Sequence, residues 1–396
     1  MISKRVNSLS ESESIAMAKR ARDLTAQGFD IVSLSMGEPD FPTPDHIKEA
    51  AKAALDANKT HYPPVAGIPE LREAVCYKLK RDNQLVYKPE NIVVSTGAKH
   101  SLMNTILSLI DPGDEVIIPT PYWVSYKEIV KFAEGVPVLV EGKIENNYKI
   151  TPSQLEQAIT PKTKILLFSN PCNPTGSFYT ESELKEWAKV LEKYPRIFIC
   201  SDEIYEYINF TGAHFSIAQI PSMFERTIVI NGVSKGYAMT GWRIGYIAAQ
   251  KEIAVACEKL QGQFTSGANS IAQYAAVAAL GDNLEPSKMM NKKFQERRDL
   301  ALTLSAQIPG FKTTVPDGAY YLFPDVSAYF GKKTESGEVI QSDYDLVIYL
   351  LNTGHVATVQ GSAFGEKNCL RLSFATSNEN LIEAFVRMKN ALSKLK

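Results

Sequence analysis

The most chemically informative feature of this sequence is a lysine followed eight residues later by an arginine. Lys235 comes shortly after an apolar run, 227–230, and Arg243 lies between Gly241 and Gly245. A lysine in a close-packed pocket loses its proton readily because burial disfavours the charged form, and the free amine can form a Schiff base with a carbonyl. An arginine can hold a phosphate through two parallel hydrogen bonds. An aldehyde that also carries a phosphate is pyridoxal phosphate.

A second apolar run, 197–200, is followed by an acid and a tyrosine that suit the same cofactor. A carboxylate at Asp202 could pair with the pyridine nitrogen and keep it protonated, the state in which the ring accepts electrons. Tyr205 could donate a hydrogen bond to the ring's phenolic oxygen. Taken alone, Asp202 would indicate a helix cap, and Arg243 would most often be a surface charge. The presence of Lys235 in the same sequence favours cofactor binding.

Several motifs together resemble the fold-type I pyridoxal-phosphate aminotransferases. They are the segment around Lys235, from Gly232 to Gly245, the segment from Asp202 to Tyr205, and Asn170-Pro171-Cys172-Asn173-Pro174-Thr175-Gly176. More narrowly, the chain is similar to the bacterial aspartate aminotransferases of class I, subgroup Ib, nearly end to end. The resemblance implies transamination between L-aspartate or glutamate and a 2-oxo acid by a ping-pong mechanism, with Lys235 as covalent anchor and proton shuttle.

The resemblance also implies contacts to the cofactor ring and phosphate. Trp123 would cover the ring, and Asn173 would share its phenolic oxygen with Tyr205. The phosphate would bind where a predicted helix begins, because free backbone N–H groups there favour an anion. The implied phosphate contacts are Gly97, Ala98, Ser234 and Arg243. Many relatives have serine where this chain has Gly232, so that hydrogen bond is either missing or supplied by Ser234.

Substrate contacts follow from the same resemblance. Arg371 matches the arginine that pairs with the substrate α-carboxylate, a two-pronged contact that lysine would not reproduce. Gly37 would line the site with backbone, and Trp123 and Asn173 would contact substrate as well as cofactor. Lys99 would meet the distal carboxylate of aspartate or glutamate. A lysine in the first turn opposes the helix dipole, which favours a function, although a solvated helix-end lysine is the alternative.

The elements that must position these residues alternate between strand and helix. The apolar patterns predict strands at 91–95, 115–118, 137–140, 164–168, 196–200, 227–230 and 244–248, and helices at 98–110, 123–132, 180–192 and 253–261. This order indicates an α/β fold with a mostly parallel sheet covered by helices on both faces. Ligands bind outside the carboxyl ends of such strands, where the candidate residues fall. The bonds Thr120–Pro121 and Asn173–Pro174 match positions that are cis in similar enzymes.

The resemblance divides the chain into a large cofactor domain and a smaller α+β domain. Residues 43–281 would form the large domain, and residues 1–42 and 282–396 would contribute the N-terminal arm and the small domain. Tyr62 would reach the cofactor phosphate of a neighbouring subunit, which predicts a homodimer with shared active sites. A tyrosine buried in its own subunit is the alternative.

Composition is typical of a globular cytoplasmic enzyme. The 396 residues are 44% hydrophobic and carry a formal net charge of -1, which gives no electrostatic reason to expect nucleic acid or a membrane surface as a partner. Five cysteines are scattered without metal-ligand spacing, so we expect reduced thiols and no metal. No run of residues is long and apolar enough for a signal peptide or a membrane span.

Three other functions compete with transamination of aspartate. A bifunctional aspartate/prephenate aminotransferase of the same subgroup stays open, because prephenate also has two carboxylates. The N-terminal segment from Leu9 to Ser14, expected to contact the distal end of the substrate, departs from the lysine- and proline-bearing form of many relatives. A dinucleotide-dependent oxidoreductase would need Gly-x-Gly-x-x-Gly after an early strand, which is missing. A ligand-sensing regulator would need an added DNA-binding module and usually a basic face.

Overall fold

A computed structural model describes residues 2–7, 9–10 and 13–396. Met1, Ser8, Glu11 and Ser12 lie outside the described residues, so two positions of the N-terminal segment expected near the substrate are among them. The helices are α1 (Lys4–Asn7), α2 (Glu13–Ala26), α3 (Asp45–Asp56), α4 (Pro69–Asn83), α5 (Ala98–Leu109), α6 (Ser125–Phe132), α7 (Pro152–Ala158), α8 (Glu181–Leu191), α9 (Pro221–Phe224), α10 (Lys251–Phe264), α11 (Ser270–Ala279), α12 (Glu285–Ser305), α13 (Asp343–Gly354) and α14 (Asn378–Leu392).

The strands form one large and two small sheets. They are β1 (Val32–Ser33), β2 (Ile92–Ser95), β3 (Glu115–Thr120), β4 (Val136–Glu141), β5 (Thr163–Ser169), β6 (Phe198–Asp202), β7 (Thr227–Gly232), β8 (Gly245–Ala248), β9 (Tyr321–Leu322), β10 (Val356–Ala357), β11 (Val359–Gln360) and β12 (Leu370–Ser373). The large sheet has seven strands in the order β2-β8-β7-β6-β5-β3-β4. Strand β8 runs antiparallel to both of its neighbours, β2 and β7, and the remaining pairs in that sheet are parallel. The predicted α/β class with a mostly parallel sheet is confirmed.

The central strands of the large sheet are buried on both faces, which explains why their middle residues are apolar. Along β5, Ile165 and Leu167 belong to the cluster that includes residues of α5, α6 and α10. The alternate residues Leu166 and Phe168 pack on the other face with Leu184 and Trp187 of α8. Successive side chains of a strand point to opposite faces, so the middle of a strand covered on both faces is apolar, as at 165–168 of β5.

The predicted elements agree with the observed ones apart from their ends. Strand β6 extends two residues beyond its predicted end, because Asp202 pairs with Ser169 of β5 and Ile230 of β7. The helix predicted from residue 123 begins instead at Ser125. The bonds Thr120–Pro121 and Asn173–Pro174 are cis, as expected, and Asn170–Pro171 is cis as well, which was not predicted.

Residues from the two ends of the chain share one core. Val32 and Ser33 of β1 pair in parallel with Val356 and Ala357 of β10. Met17 of α2 packs in the same hydrophobic cluster as residues of α12, α13 and α14. The three strands β11, β12 and β9 form a separate antiparallel sheet. These contacts are what a small domain built from both ends requires, while its boundaries at 42 and 281 stay a prediction.

None of the helices in the described ranges has the length and hydrophobicity needed to cross a lipid bilayer.

Candidate active site

The candidate residues meet at the carboxyl edge of the large sheet, around one cavity of about 370 Å³. Strands β6 and β7 deliver Asp202 and the Ser234–Lys235 pair, while β2 leads directly into Gly97 and helix α5. The residues predicted from sequence that line this cavity are Gly37, Ala98, Lys99, Trp123, Asn173, Asp202, Tyr205, Ser234, Lys235, Arg243 and Arg371. Gly97 and Tyr62 are the two predicted residues that do not line it.

Lys235 is held at the cavity by the backbone of Gly37. Its Nζ donates to the carbonyl oxygen of Gly37 at 2.7 Å. Burial lowers the pKa of this lysine to about 8, with Glu38 opposing the shift and Arg243 adding to it. The amine is therefore far more often neutral near physiological pH than an ordinary lysine, which is the form that a nucleophile or proton acceptor needs.

Asp202 lies across the cavity as a buried carboxyl group. Its Oδ2 accepts from the hydroxyl of Tyr126 at 2.8 Å, and its Oδ1 accepts from the backbone N–H of Ile204 at 3.3 Å. Burial raises its pKa to about 6, an effect that the hydrogen bond from Tyr126 opposes. At pH 7 and above the group is mostly ionised, so it can stabilise a cationic ring nitrogen.

The segment around Gly97 has the features of a phosphate site. Helix α5 begins after Gly97 without a side-chain cap, which leaves backbone donors at its positive end for an anion. Arg243 packs so closely that a Cβ on Gly97 would lie 2.7 Å from its Cζ. Ser234 is buried nearby in the cavity wall. A cradle that only glycine permits, with a cation and a hydroxyl beside it, fits the phosphate of pyridoxal phosphate.

Gly232, where many relatives have serine, has a packing reason of its own. A Cβ at this position would lie 2.7 Å from the carbonyl oxygen of Ile244 and 2.8 Å from the Cα of Gly245, because β7 and β8 approach closely there. The backbone of β8 therefore disfavours any side chain at residue 232.

Arg371 is the buried cation of the site. Its guanidinium donates to Asn173 Oδ1 at 3.1 Å and to the carbonyl oxygen of Ser35 at 2.7 Å. The same group lies 4.5 Å from the ring centroid of Tyr321 and 4.9 Å from that of Phe364. These contacts fix the planar group in one orientation, which favours two-pronged binding of a carboxylate.

Tyr205 and Gly37 are joined through Tyr321. The hydroxyls of Tyr205 and Tyr321 are 2.9 Å apart, and a Cβ on Gly37 would lie 2.8 Å from the Tyr321 hydroxyl. Tyr320 donates to the Gly37 carbonyl that also accepts from Lys235. The backbone at Gly37 is thus tied to Lys235 and to strand β9, at a position where a side chain would collide with Tyr321.

Lys99 and Trp123 form the outer wall. The Lys99 ammonium lies 5.0 Å from the ring centroid of Trp123, within the range of a cation–π contact. Burial lowers the pKa of Lys99, and the nearby charge of Arg243 adds to that shift. The residue is nevertheless exposed, so a contact to the distal carboxylate stays a prediction beside the alternative of a solvated helix-end lysine.

Tyr62 is 99% exposed and contributes nothing to the cavity of its own subunit. The alternative of a tyrosine buried in its own subunit is therefore wrong. A contact across a subunit boundary stays a prediction.

Sequence reasoning missed several residues of the cavity wall. Tyr126 carried a weak signal, because it lies one helical turn after Trp123. Tyr321 and Ser35 carried none, since they reach the cavity through contacts across the fold. Three residues at helical spacing on α2 also line the cavity: Ile15, Ala18 and Arg22.

One cluster of possible metal ligands occurs among the described residues, although no metal was expected. It consists of Glu203, Glu206 and His214, whose ligand atoms lie within 4.8 Å of one another. Glu206 is already ion-paired with the buried Lys78 and accepts from Asn83. His214 Nε2 lies 3.1 Å from Glu203, whose other oxygen accepts from two serines. The buried ammonium of Lys78 therefore already neutralises one carboxylate of this cluster.

Comparisons with known proteins point the same way. Residues 30–388 match the family described as Aminotransferase class I and II. The chain is 46% identical to an aspartate aminotransferase of Geobacillus stearothermophilus, covering 98% of each chain. It is also 46% identical to a probable aspartate/prephenate aminotransferase of Rhizobium leguminosarum bv. phaseoli, covering 96% of this chain and 95% of that one.

Solved structures give the same result in three dimensions. The aspartate aminotransferase from Rhizobium meliloti superposes with a TM-score of 0.97 at 41% identity over the full length of both chains. The Thermus thermophilus aspartate aminotransferase with maleate superposes with a TM-score of 0.92 at 40% identity over 99% of each chain.

Proposed function

The chain belongs to the class I and II aminotransferases, and we propose that it transfers the amino group of L-aspartate or glutamate to a 2-oxo acid. Proteins of this family use pyridoxal phosphate, and the aspartate aminotransferases are the group to which this chain is similar along its whole length. The observation that carries the proposal is one cavity that combines a lysine of lowered pKa with Asp202, Arg243 and Arg371.

The residues divide between holding the cofactor and holding the substrate. Lys235 would hold the cofactor's aldehyde carbon, Asp202 its ring nitrogen, and Tyr205 and Asn173 its phenolic oxygen. The N-terminus of α5, Ser234 and Arg243 would hold its phosphate. The bound cofactor supplies an electron sink for the negative charge left on the substrate's α-carbon.

Lys235 carries the proton transfers. Once displaced by the substrate amine, its Nζ accepts the α-proton and later donates it, a task for which a pKa near operating pH is suited. Its pKa of about 8 leaves a usable neutral fraction at pH 7 to 8. The bond to the Gly37 carbonyl orients the amine toward the cavity. Because one oxo acid leaves before the next enters, we expect ping-pong kinetics.

Two cations suit a substrate with two carboxylates. Arg371 would bind the α-carboxylate, since Asn173, Ser35 and two aromatic rings keep its guanidinium planar and fixed. Lys99, held over Trp123, would bind the distal carboxylate. A neutral side chain of the substrate would cover Lys99 without pairing with it, which disfavours such substrates.

A homodimer with shared sites is part of the proposal. Tyr62 is fully exposed on its own subunit, so its ring and hydroxyl are accessible to a second subunit. We infer that it contacts the cofactor phosphate bound to the second subunit.

The first experiment measures the half-reaction. The purified protein is loaded with pyridoxal phosphate, and its visible absorbance is recorded before and after L-aspartate is added without an acceptor. We expect the band of bound cofactor to change and about one equivalent of oxaloacetate per subunit to appear. The Lys235→Ala variant serves as control and should release no oxaloacetate, because it lacks the amine that moves the α-proton. An unchanged band in the wild-type protein contradicts transamination of aspartate.

A second candidate function is the aspartate/prephenate activity named for relatives at similar identity. It is tested by comparing kcat/KM for oxaloacetate and prephenate as acceptors, with glutamate as donor. A kcat/KM for prephenate within about tenfold of that for oxaloacetate supports the bifunctional enzyme, whereas a negligible rate restricts the activity to aspartate.

A further inference from the structure

The carboxyl group of Asp202 is approached by one strong donor. Among the residues that the structure describes, its Oδ2 accepts from the Tyr126 hydroxyl at 2.8 Å, while Oδ1 accepts only a long bond, 3.3 Å, from Ile204 N–H. A donor–acceptor distance of 2.8 Å is typical of a good hydrogen bond, whereas 3.3 Å is typical of a weak one. Oδ1 is therefore the oxygen that can still accept a strong hydrogen bond.

Tyr126 is itself held rigidly. The side chain is 1% exposed, lies on helix α6, and meets Trp123 edge to face with ring centroids 5.6 Å apart. Burial, and secondarily the charge of Asp202, raises the pKa of Tyr126 well above its ordinary value. The hydroxyl thus stays protonated throughout the pH range of the enzyme and acts as a permanent donor.

We propose that Tyr126 is a positioning residue for the transamination: its hydroxyl keeps Asp202 ionised and turned so that Oδ1 is free for the ring nitrogen of the cofactor. The inference rests on the proposed function, because it needs pyridoxal phosphate in this cavity. It concerns a residue outside the sequence motifs, brought to the carboxylate from a different element.

A neutral donor suits this task better than a cation. A lysine or arginine in the same place would satisfy the carboxylate completely and compete with the cationic ring nitrogen for it. A hydroxyl stabilises the ionised form and leaves the negative charge in place. Without that hydroxyl, the buried carboxyl group would take up a proton more readily and hold the ring nitrogen less well.

The other titratable groups around Asp202 do not replace this bond. Glu203 raises the pKa of Asp202 and Lys235 lowers it, both through charge and without a hydrogen bond to the carboxylate. Cys172 lies on the loop after β5, and Cys200 lies on β6 with Asp202. Burial raises the pKa of both thiols, so both stay neutral. Tyr126 is the largest influence that opposes burial at this carboxyl group.

The test is the Tyr126→Phe variant, which keeps the ring and removes one oxygen. Tyr122→Phe is the matched control, because Tyr122 is buried four residues earlier and makes no hydrogen bond to Asp202 among the described residues. Melting temperatures establish that both variants fold. We expect Tyr126→Phe to raise the Kd for pyridoxal phosphate about tenfold and lower kcat about tenfold. KM for aspartate should stay within about twofold, and Tyr122→Phe should match the wild-type protein.

A double-mutant cycle separates positioning from packing. If Tyr126 acts through Asp202, removing its hydroxyl in the Asp202→Asn background should cause little further loss of cofactor affinity. An equal loss in both backgrounds, or wild-type affinity in Tyr126→Phe, overturns the inference.

Carbon NMR of the cofactor-free protein gives an independent reading. The carboxyl carbon of Asp202 should titrate near pH 6 in the wild-type protein and about one pH unit higher in Tyr126→Phe. An unmoved midpoint would also overturn the inference. Failure of the proposed function looks different, since the wild-type protein itself would then neither bind pyridoxal phosphate nor transaminate aspartate.

Discussion

Gly97→Ala should separate two costs that one glycine avoids at the candidate phosphate site. Gly97 has φ +83° and ψ 159°, a conformation that is essentially restricted to glycine. Its Cα hydrogen also faces Arg243, so that an added Cβ would lie 2.7 Å from the guanidinium Cζ. The substitution therefore strains the backbone and pushes the arginine away from the helix terminus.

The two effects have different magnitudes and different readouts. Forcing alanine into this backbone conformation costs about 1–3 kcal/mol of folding free energy. Displacing Arg243 removes hydrogen bonds to a charged group, about 1.5–3 kcal/mol, which corresponds to a roughly 10- to 150-fold weaker affinity for pyridoxal phosphate. Only the second effect should depend on the cofactor.

Gly113→Ala is the control. Gly113 also has a left-handed φ, +88°, but an added Cβ would meet no atom within 4 Å. Both variants should unfold at lower temperature, whereas only Gly97→Ala should bind pyridoxal phosphate more weakly in equilibrium dialysis. If Gly97→Ala keeps an affinity within about twofold of the wild-type protein, Arg243 does not hold the phosphate and the assignment of this helix terminus fails.

Three further predictions concern Lys235, Lys99 and Tyr62. Burial lowers the Lys235 pKa from 10.5 to about 8, so the folded cofactor-free protein binds fewer protons than the unfolded chain between those values. Its free energy of unfolding should therefore rise with pH across that window relative to Lys235→Met, and parallel pH profiles would contradict this. Lys99→Met should lower kcat/KM for aspartate about 10- to 100-fold and leave that for alanine nearly unchanged, since only aspartate has a distal carboxylate; an equal fall for both amino acids would exclude the assigned contact. Tyr62→Phe should raise the Kd for pyridoxal phosphate about tenfold without lowering the melting temperature, because the side chain is 99% exposed on its own subunit. Unchanged affinity in a protein that sediments as a dimer would place Tyr62 elsewhere.

Much of the cofactor-binding side could be predicted from sequence because each residue belongs to a local pattern. Lys235 and Asp202 lie at the ends of apolar runs, and parallel strands bring such ends to one edge of a sheet. The continuous apolar character of β5, β6 and β7 likewise indicates a sheet covered on both faces. These inferences need only the periodicity and order of the chain.

Contacts between distant segments do not follow from local patterns, and only the family resemblance implied that Gly97 and Arg243 meet at the phosphate. Gly97 and Arg243 meet because β2 and β8 pair antiparallel, with Ser95 opposite Gly245. That register is set by how the whole sheet packs, and no local pattern near Gly97 encodes it. The same holds for the bond from Tyr126 to Asp202, which joins helix α6 to strand β6 across 76 residues of chain.

The chain by itself therefore determines which chemical groups are present and at which edge of the sheet they emerge, since local hydrophobic patterns specify strands, helices and their order. Only the tertiary structure decides the protonation states and orientations of those groups. A pKa of about 8 for Lys235 and about 6 for Asp202 arises from desolvation, neighbouring charges and hydrogen bonds contributed by other parts of the fold.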